Sequence, residues 1–288
     1  LLAPLGYMLK ILTGKKIVVM THGLDITWSP VLYQWLIKKS LLSMDKVFCV
    51  SQNTAKECRQ RHIPEEKLHV IPNGVDFKKA SSINQDNHYK NIQARFGIDL
   101  QNRPVILSVG RMVERKGIHS FLNNIFPLIL KKNPQAYYIV VGDGPCRSLI
   151  ENTIQEKHLQ SNVLLTGQIE DKYLENLYNI AQVFVMPNIP VQGDVEGFGI
   201  VILEASARGL PVVASKIDGI VDAVKEGCNG ILIDHLDYEN FAKKTLLFLN
   251  DSSYRQQFGK DAQKYTQNTF SWEHISREYY EVIKKLCP

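Results

Sequence analysis

Glu196-Gly197-Phe198-Gly199-Ile200-Val201-Ile202-Leu203-Glu204 sets two carboxylates eight positions apart, across a Gly-Phe-Gly turn that opens an apolar helix. Short apolar runs at residues 183–186 before it and 211–214 after it make a strand–turn–helix–strand unit. Glycines at such a turn let backbone N–H groups approach an anion at the helix N-terminus. Carboxylates on either side of that anion accept hydrogen bonds from vicinal hydroxyls. Phosphate flanked by hydroxyl-rich groups describes a nucleotide sugar. For an isolated pair the plainer reading is the default: one surface Glu before an ordinary helix and one inside it.

Outward from this unit, apolar runs alternate with helical patterns. Residues 17–20, 46–50 and 68–71 read as buried strands, with helices at 29–42 and 53–61 between them. A second series runs 105–109, 136–141, 163–166, 183–186, 212–214 and 231–233. Helices are expected between these at about 117–131, 147–158, 171–179, 199–208 and 238–250. Near-continuous Val/Ile strands separated by helices imply parallel sheets covered on both faces. The fold class is therefore α/β, doubly wound.

Residues 80–95 are polar and lack a strand pattern, so they read as a linker or long loop after the turn Pro72-Asn73-Gly74. This divides the chain into a first domain at 1–79, a linker at 80–100 and a second domain at 101–268. Residues 269–288 form an amphipathic helix with Trp272, Ile275, Tyr279 and Ile283 at helical spacing. It is expected to pack across both domains, or to dock on the second alone.

The 288 residues, 44% hydrophobic, suffice for two ordinary cores. No run of about 18 apolar residues is present, so no membrane-spanning helix is expected. Five cysteines, odd in number and without a C-x-x-C pair, favour unpaired thiols in a reducing, cytoplasmic setting. Residues 1–95 carry 14 Lys/Arg against 7 Asp/Glu, a basic first half in a chain of net charge +5. Such a half suits an anionic membrane surface or a phosphorylated acceptor, and equally a solvated basic face. Aromatics do not interleave with the basic pairs as they do in a nucleic-acid groove, so no nucleic-acid partner is expected.

Other strand ends carry chemistry of their own. Gly110-Arg111 and Lys116-Gly117 follow the strand at 105–109, where ligands of open α/β sheets bind. Arg111 offers a planar fork and Lys116 a compact charge, both suited to a diphosphate. The spacing is not that of a P-loop. Glu114 and Arg115 read as a solvent-exposed pair. Asp143, in Gly142-Asp143-Gly144-Pro145, reads as a turn former or helix cap. Ile169 follows another strand end, where its main chain can pair with a base edge. His22 follows the strand at 17–20, and a cleft between two sheets would bring it towards Glu196, Arg111 and Lys116. There is no histidine pair at metal-ligand spacing and no Asp-X-Asp triplet, so no metal is indicated and Arg111 with Lys116 would neutralise the diphosphate.

Taken in order, the G-R-x(4)-K-G segment (Gly110 to Gly117), Gly142-Asp143-Gly144-Pro145, the E-G-F-G-x(4)-E segment (Glu196 to Glu204) and Pro72-Asn73-Gly74-Val75-Asp76 resemble the retaining glycosyltransferases of family 4. The resemblance covers essentially the whole chain. It implies the GT-B architecture, two Rossmann-like domains facing a cleft. It implies that Arg111 and Lys116 bind the donor diphosphate and that Glu204 accepts the ribose hydroxyls. Glu196 would hold hydroxyls of the transferred sugar, with Gly110 and the main chain of Phe198, Gly199 and Ile200 near sugar and phosphates. His22 would lie near the anomeric centre and Ile169 against the base. No cofactor is implied beyond the nucleotide sugar.

One departure stands out. The family's first domain begins with a strand and a Gly-rich loop, and nothing like them precedes Leu1. The first domain is thus expected to be incomplete, its chain beginning inside a longer polypeptide or completed by a partner chain. The resemblance implies metal-independent transfer of a hexose or related sugar to a glycan or lipid-linked acceptor, with retention, at or near the cytoplasmic membrane face. Other readings are a non-catalytic or partner-dependent donor-binding subunit, and another GT-B enzyme such as a sugar-nucleotide epimerase. A phosphorylase would need a cofactor lysine with its own surroundings, which the sequence does not offer.

Overall fold

A computed structural model describes residues 2–28, 30–77 and 85–286 and arranges their strands in two parallel sheets. β1 (Val18–Thr21), β2 (Lys46–Cys49) and β3 (Leu68–Val70) form the first, in that order. The second contains β4 (Val105–Val109), β5 (Tyr137–Val141), β6 (Val163–Gly167), β7 (Val183–Met186), β8 (Val212–Ser215) and β9 (Ile231–Ile233). Its spatial order is β6-β5-β4-β7-β8-β9, so the winding reverses between β4 and β7. That switch point opens a crevice beyond the carboxyl ends of the strands, where doubly wound sheets bind ligands.

Side-chain alternation explains why the strands are mostly apolar along their length. Val105, Leu107, Ile139, Val141, Phe184 and Met186 enter the core on one face of the second sheet. Their neighbours Ile106, Tyr138, Val140, Val183 and Val185 enter the core on the other. Burial on both faces leaves no polar stripe, as expected of a parallel sheet. In the first sheet Val47 and Cys49 pack with Ile37, Leu41, Ala55 and Cys58 of the crossover helices. Phe48 faces the opposite way, against Ile71 and Ile275.

Three helical expectations change. The stretch read as a linker contains the helix Gln85–Phe96, packed on the helix Asp171–Ile180; residues 78–84 lie outside the described residues. His88 and Ile92 are buried, and His88 Nδ1 lies 2.5 Å from Asn176 Oδ1. An i, i+4 pair is enough to bury one face of a helix whose other faces are polar. The helix expected at 117–131 is broken by a π-helical segment, Phe121–Ile125, before Phe126–Lys132. Pro127 stands at the start of the latter, where its missing N–H and its ring bulk are accommodated by the wider turn. The helix Ser252–Phe270 was not foreseen, because 14 of its 19 residues, from Ser252 to Thr269, are Ser, Thr, Asn, Gln, Arg, Lys, Asp or Gly.

The end of the chain returns to the first sheet. Ser252–Phe270 lies on the second sheet's helix Ile200–Ala207. The helix Trp272–Leu286 then crosses over: Ile275 is fully buried against Phe48 and Ile71, and the Tyr279 ring stands edge-on to Phe48 at 5.0 Å. Val75 N donates to Phe270 O at 2.8 Å at the crossing point. Cys49 and Cys58 are buried free thiols 3.9 Å apart, and Cys146 and Cys228 are also free; Cys287 lies outside the described residues.

Candidate active site

Glu196 is 8% exposed and sits among cations. Its Oε2 accepts from Lys116 Nζ at 2.5 Å and from Asn188 Nδ2 at 3.1 Å, and it also pairs with Arg115 Nη1. Arg115 Nε donates to Asp194 Oδ1 at 2.9 Å. These residues come from two loops: the one leaving β4 and the one that runs from β7 to the helix Ile200–Ala207. Burial pushes the Glu196 carboxyl up, but Lys116 and Arg115 outweigh it and hold the group below the usual carboxylate range. Burial likewise depresses the Lys116 ammonium, against the opposing pull of Glu196.

Main-chain contacts fix the same carboxylate from behind. Glu196 N donates to Asp218 Oδ2 at 3.1 Å, and Gly219 N donates to Glu196 O at 3.0 Å. Burial raises the Asp218 carboxyl above its ordinary value, with the Glu196 amide pulling it back and the Glu196 charge adding to the rise. Gly197 lies under the first domain: a Cβ there would stand 1.8 Å from His22 O. Only glycine permits that approach, so the turn that joins strand to helix is also where the two domains touch. Gly117 is bound by the same logic at the other loop, with φ +64 and Pro187 O 1.9 Å from a Cβ position. On a further contact between the domains, Gln52 N donates to Asp222 Oδ2 at 3.0 Å, so a side chain of the second domain caps the helix Gln52–Gln60 of the first.

Several sequence-based candidates thus meet. Lys116 and Glu196 are bonded, and Gly110 lies against the Lys116 side chain, a Cβ there being 3.4 Å from Lys116 Cε. His22 reaches the group through its main chain; its amide donates to Asp25 Oδ1 at 2.9 Å, and the residue is exposed. Arg111 is exposed and has no ion pair among the described residues. The expected exposed pair of Glu114 and Arg115 is overturned, since Arg115 turns inward to Asp194 and Glu196. Two acceptors in the β7 loop supply a better-desolvated partner than Glu114.

Phe198 is buried, its ring 6.0 Å from that of Phe270, so only its main chain is free for a ligand. Gly199, at φ +87, precedes the first residue of the helix, Ile200. The opening amides of any helix lack intrahelical partners. Glu204 lies one turn further along the same helix, half-buried, with Oε2 accepting from Tyr178 OH at 2.9 Å. Arg208 supports that phenol by standing 4.8 Å over its ring and binding Glu175. Ile169 is half-buried against the core beyond the end of β6. Asn188, Asp194, Asp218 and Arg115 escaped the sequence reading; their placement just past strands β7, β8 and β4 was the signal that could have found them.

A two-sheet α/β fold with a buried carboxylate–cation cluster at the switch point defines a GT-B protein. The family described as glycosyl transferases group 1 matches residues 90–265, and glycosyltransferase family 4 matches residues 2–79; the chain belongs to the group 1 glycosyltransferases. An uncharacterized glycosyltransferase of Methanocaldococcus jannaschii is 32% identical over 83% of this chain and 60% of its own length. A GDP-mannose-dependent alpha-(1-6)-phosphatidylinositol monomannoside mannosyltransferase of Mycolicibacterium smegmatis is 28% identical over 98% of this chain and 73% of its own. In fold, the chain resembles Anabaena HepE in complex with UDP and glucose, at a TM-score of 0.84 and 20% identity, covering 98% of this chain and 75% of that one. The chain thus spans three-fifths to three-quarters of the length of these relatives.

Proposed function

We propose that this chain transfers a hexose or related sugar from a nucleotide-diphosphate donor to a glycan or lipid-linked acceptor, with retention and without a metal ion. The observation that carries the reading is the buried Lys116–Glu196 pair at the switch point, within reach of the helix start at Ile200. Residues 101–268 hold the donor and residues 1–79 face the acceptor, with 80–100 between them. Residues 269–288 tie the two together.

In this reading the donor diphosphate takes Lys116 as its counter-ion, while Arg115 and Asn188 keep Glu196 charged and in place. Arg111 adds charge at the rim. The opening amides of the helix at Phe198, Gly199 and Ile200 face the phosphates, where the helix dipole favours negative charge. Glu204, with one oxygen already bonded to Tyr178, accepts from the ribose hydroxyls through the other. Ile169 meets the base. Glu196 orients sugar hydroxyls and His22 stands near the anomeric carbon. Fixed cations aimed at the departing diphosphate supply the electrostatic stabilisation that the transition state needs. The leaving phosphate oxygen takes the acceptor proton on the same face, which gives retention. The mannosyltransferase relative, named for a phosphatidylinositol mannoside, supports a lipid-linked acceptor; with such an acceptor the chain works peripherally at the cytoplasmic membrane face.

The test is a screen of UDP-, GDP- and ADP-sugars with lipid-linked and glycan acceptors, read by proton NMR of the product's anomeric centre. The reading expects one nucleotide sugar to be consumed with a product of the donor's anomeric configuration. Inverted product, or an epimerised nucleotide sugar without transfer, would contradict it.

A further inference from the structure

Glu204 is the acidic residue of an otherwise apolar helix, Ile200–Ala207, in which Ile202, Leu203 and Ala205 are buried around it. Arg208 follows four residues later, the spacing at which a helix ordinarily pairs a carboxylate with a guanidinium. Here that pair does not form. Arg208 Nη2 and Nε donate to Glu175 Oε2 at 2.6 and 2.9 Å, and Nη1 donates to the main-chain oxygen of Glu204 at 2.8 Å. Glu175 is itself held, its Oε1 accepting from Asn179 Nδ2 at 3.2 Å. The cation nearest in sequence is thus diverted, and the Glu204 carboxylate has no ion pair among the described residues. Its side-chain partner is the phenol of Tyr178, which donates to Oε2 at 2.9 Å.

The fold places that phenol firmly. Tyr178 belongs to the helix Asp171–Ile180 and is 3% exposed, its ring stacked 6.2 Å from that of Phe184 in β7. The Arg208 guanidinium lies 4.8 Å over the same ring, a cation–π contact that fixes it from the other helix. Burial first, and then the Glu204 charge, pushes the Tyr178 phenol well above its ordinary value, so it remains a donor throughout the neutral range. A neutral donor orients a carboxylate without neutralising it. An ionised carboxylate offers about four acceptor sites, and the phenol takes one. The sites left over suit adjacent hydroxyls, whereas a phosphate would be repelled by the retained charge.

Resting on Glu204 as the ribose acceptor, we propose that Tyr178 is a positioning residue for the donor nucleotide. Its hydroxyl holds the Glu204 carboxylate in the orientation that takes both ribose hydroxyls, while Glu175 keeps Arg208 from claiming it. Selectivity for a vicinal diol then originates behind the ligand, in a buried phenol that never touches it.

The experiment is calorimetric titration of UDP, GDP and their 2′,3′-dideoxy forms into the full chain, as wild type and as Tyr178→Phe. A site built to bind a hydroxyl rejects the analogue that lacks it, so the wild type should bind one ribonucleotide at least about tenfold tighter than its dideoxy form. Tyr178→Phe keeps the ring and its packing and removes the donor. It should weaken the ribonucleotide about fivefold and leave the dideoxy form within about twofold, so that the ratio narrows. In a Glu204→Ala background the same substitution should change neither affinity, because the two side chains act as one unit. A ratio that Tyr178→Phe leaves intact, an equal loss for both forms, an undiminished effect in the Glu204→Ala background, or an unfolded variant would each overturn the inference. In all four cases Glu204 keeps its role. Equal affinity of the wild type for ribo- and dideoxynucleotide, or no binding of either ribonucleotide, would instead overturn Glu204 as the ribose acceptor and this inference with it.

Discussion

Glu196 and Glu204 stand at opposite ends of one segment, the first before the helix Ile200–Ala207 and the second inside it, and do opposite things. Glu196 is buried and already matched by Lys116, Arg115 and Asn188. Glu204 is half-buried and held by one neutral phenol. The difference teaches how a site can carry a full charge out of water. The buried carboxylate is tolerable because its counter-ions are built in, and those same counter-ions are the groups a diphosphate needs. The less buried one needs no counter-ion and keeps acceptor capacity for a neutral hydroxyl.

The largest effect should come from breaking the matched end. Glu196→Gln strands two cations in a desolvated loop and should cost about 3–5 kcal/mol of stability, measured by denaturant unfolding. The wild-type contribution also has a pH signature. The folded pKa of Glu196 lies below its value in the unfolded chain, so folding favours the charged form. That stability is fully present above the unfolded value of about 4.5 and is lost as pH falls through the folded one. The gap between wild type and Glu196→Gln should therefore narrow in acid; a gap independent of pH would contradict the ion-pair account. Next, Lys116→Ala should lower turnover roughly 10²-fold or more, since the leaving group loses its fixed cation. An unchanged rate in steady-state assays would sink that role.

At the other end, Glu204→Gln should weaken donor binding about tenfold while leaving stability nearly unchanged. A stability loss as large as that of Glu196→Gln would erase the contrast between the two ends. Arg111→Ala should have the smallest effect, a few-fold in donor affinity that shrinks further as salt is raised, because the side chain is exposed and screened. A salt-independent loss would place Arg111 deeper in the site than its exposed position does.

Strands were legible because burial on both faces makes them apolar without interruption, as at residues 137–141 and 183–186. The helix Gln85–Phe96 was not, because two buried side chains, His88 and Ile92, hold it in a polar stretch. A histidine bonded to Asn176, far along the chain, leaves no periodic apolar signature. In the site, Glu196 and Lys116 were legible from glycine-flanked motifs at strand ends. Arg115 was misread because local sequence offers Glu114 as a partner, and only the fold brings in Asp194 and Glu196. Asp218 was hidden for a similar reason: its task is to hold a main-chain amide of another loop, which no spacing encodes.

The central claim is that Lys116 trades Glu196 for the phosphates of a nucleotide. Calorimetric titration of UDP and GDP into the wild type and Lys116→Ala tests it most directly. The account predicts that one of the two nucleotides binds the wild type and that Lys116→Ala weakens this at least about tenfold, the order expected for a charge-assisted bond. Equal affinity in the two proteins would contradict it.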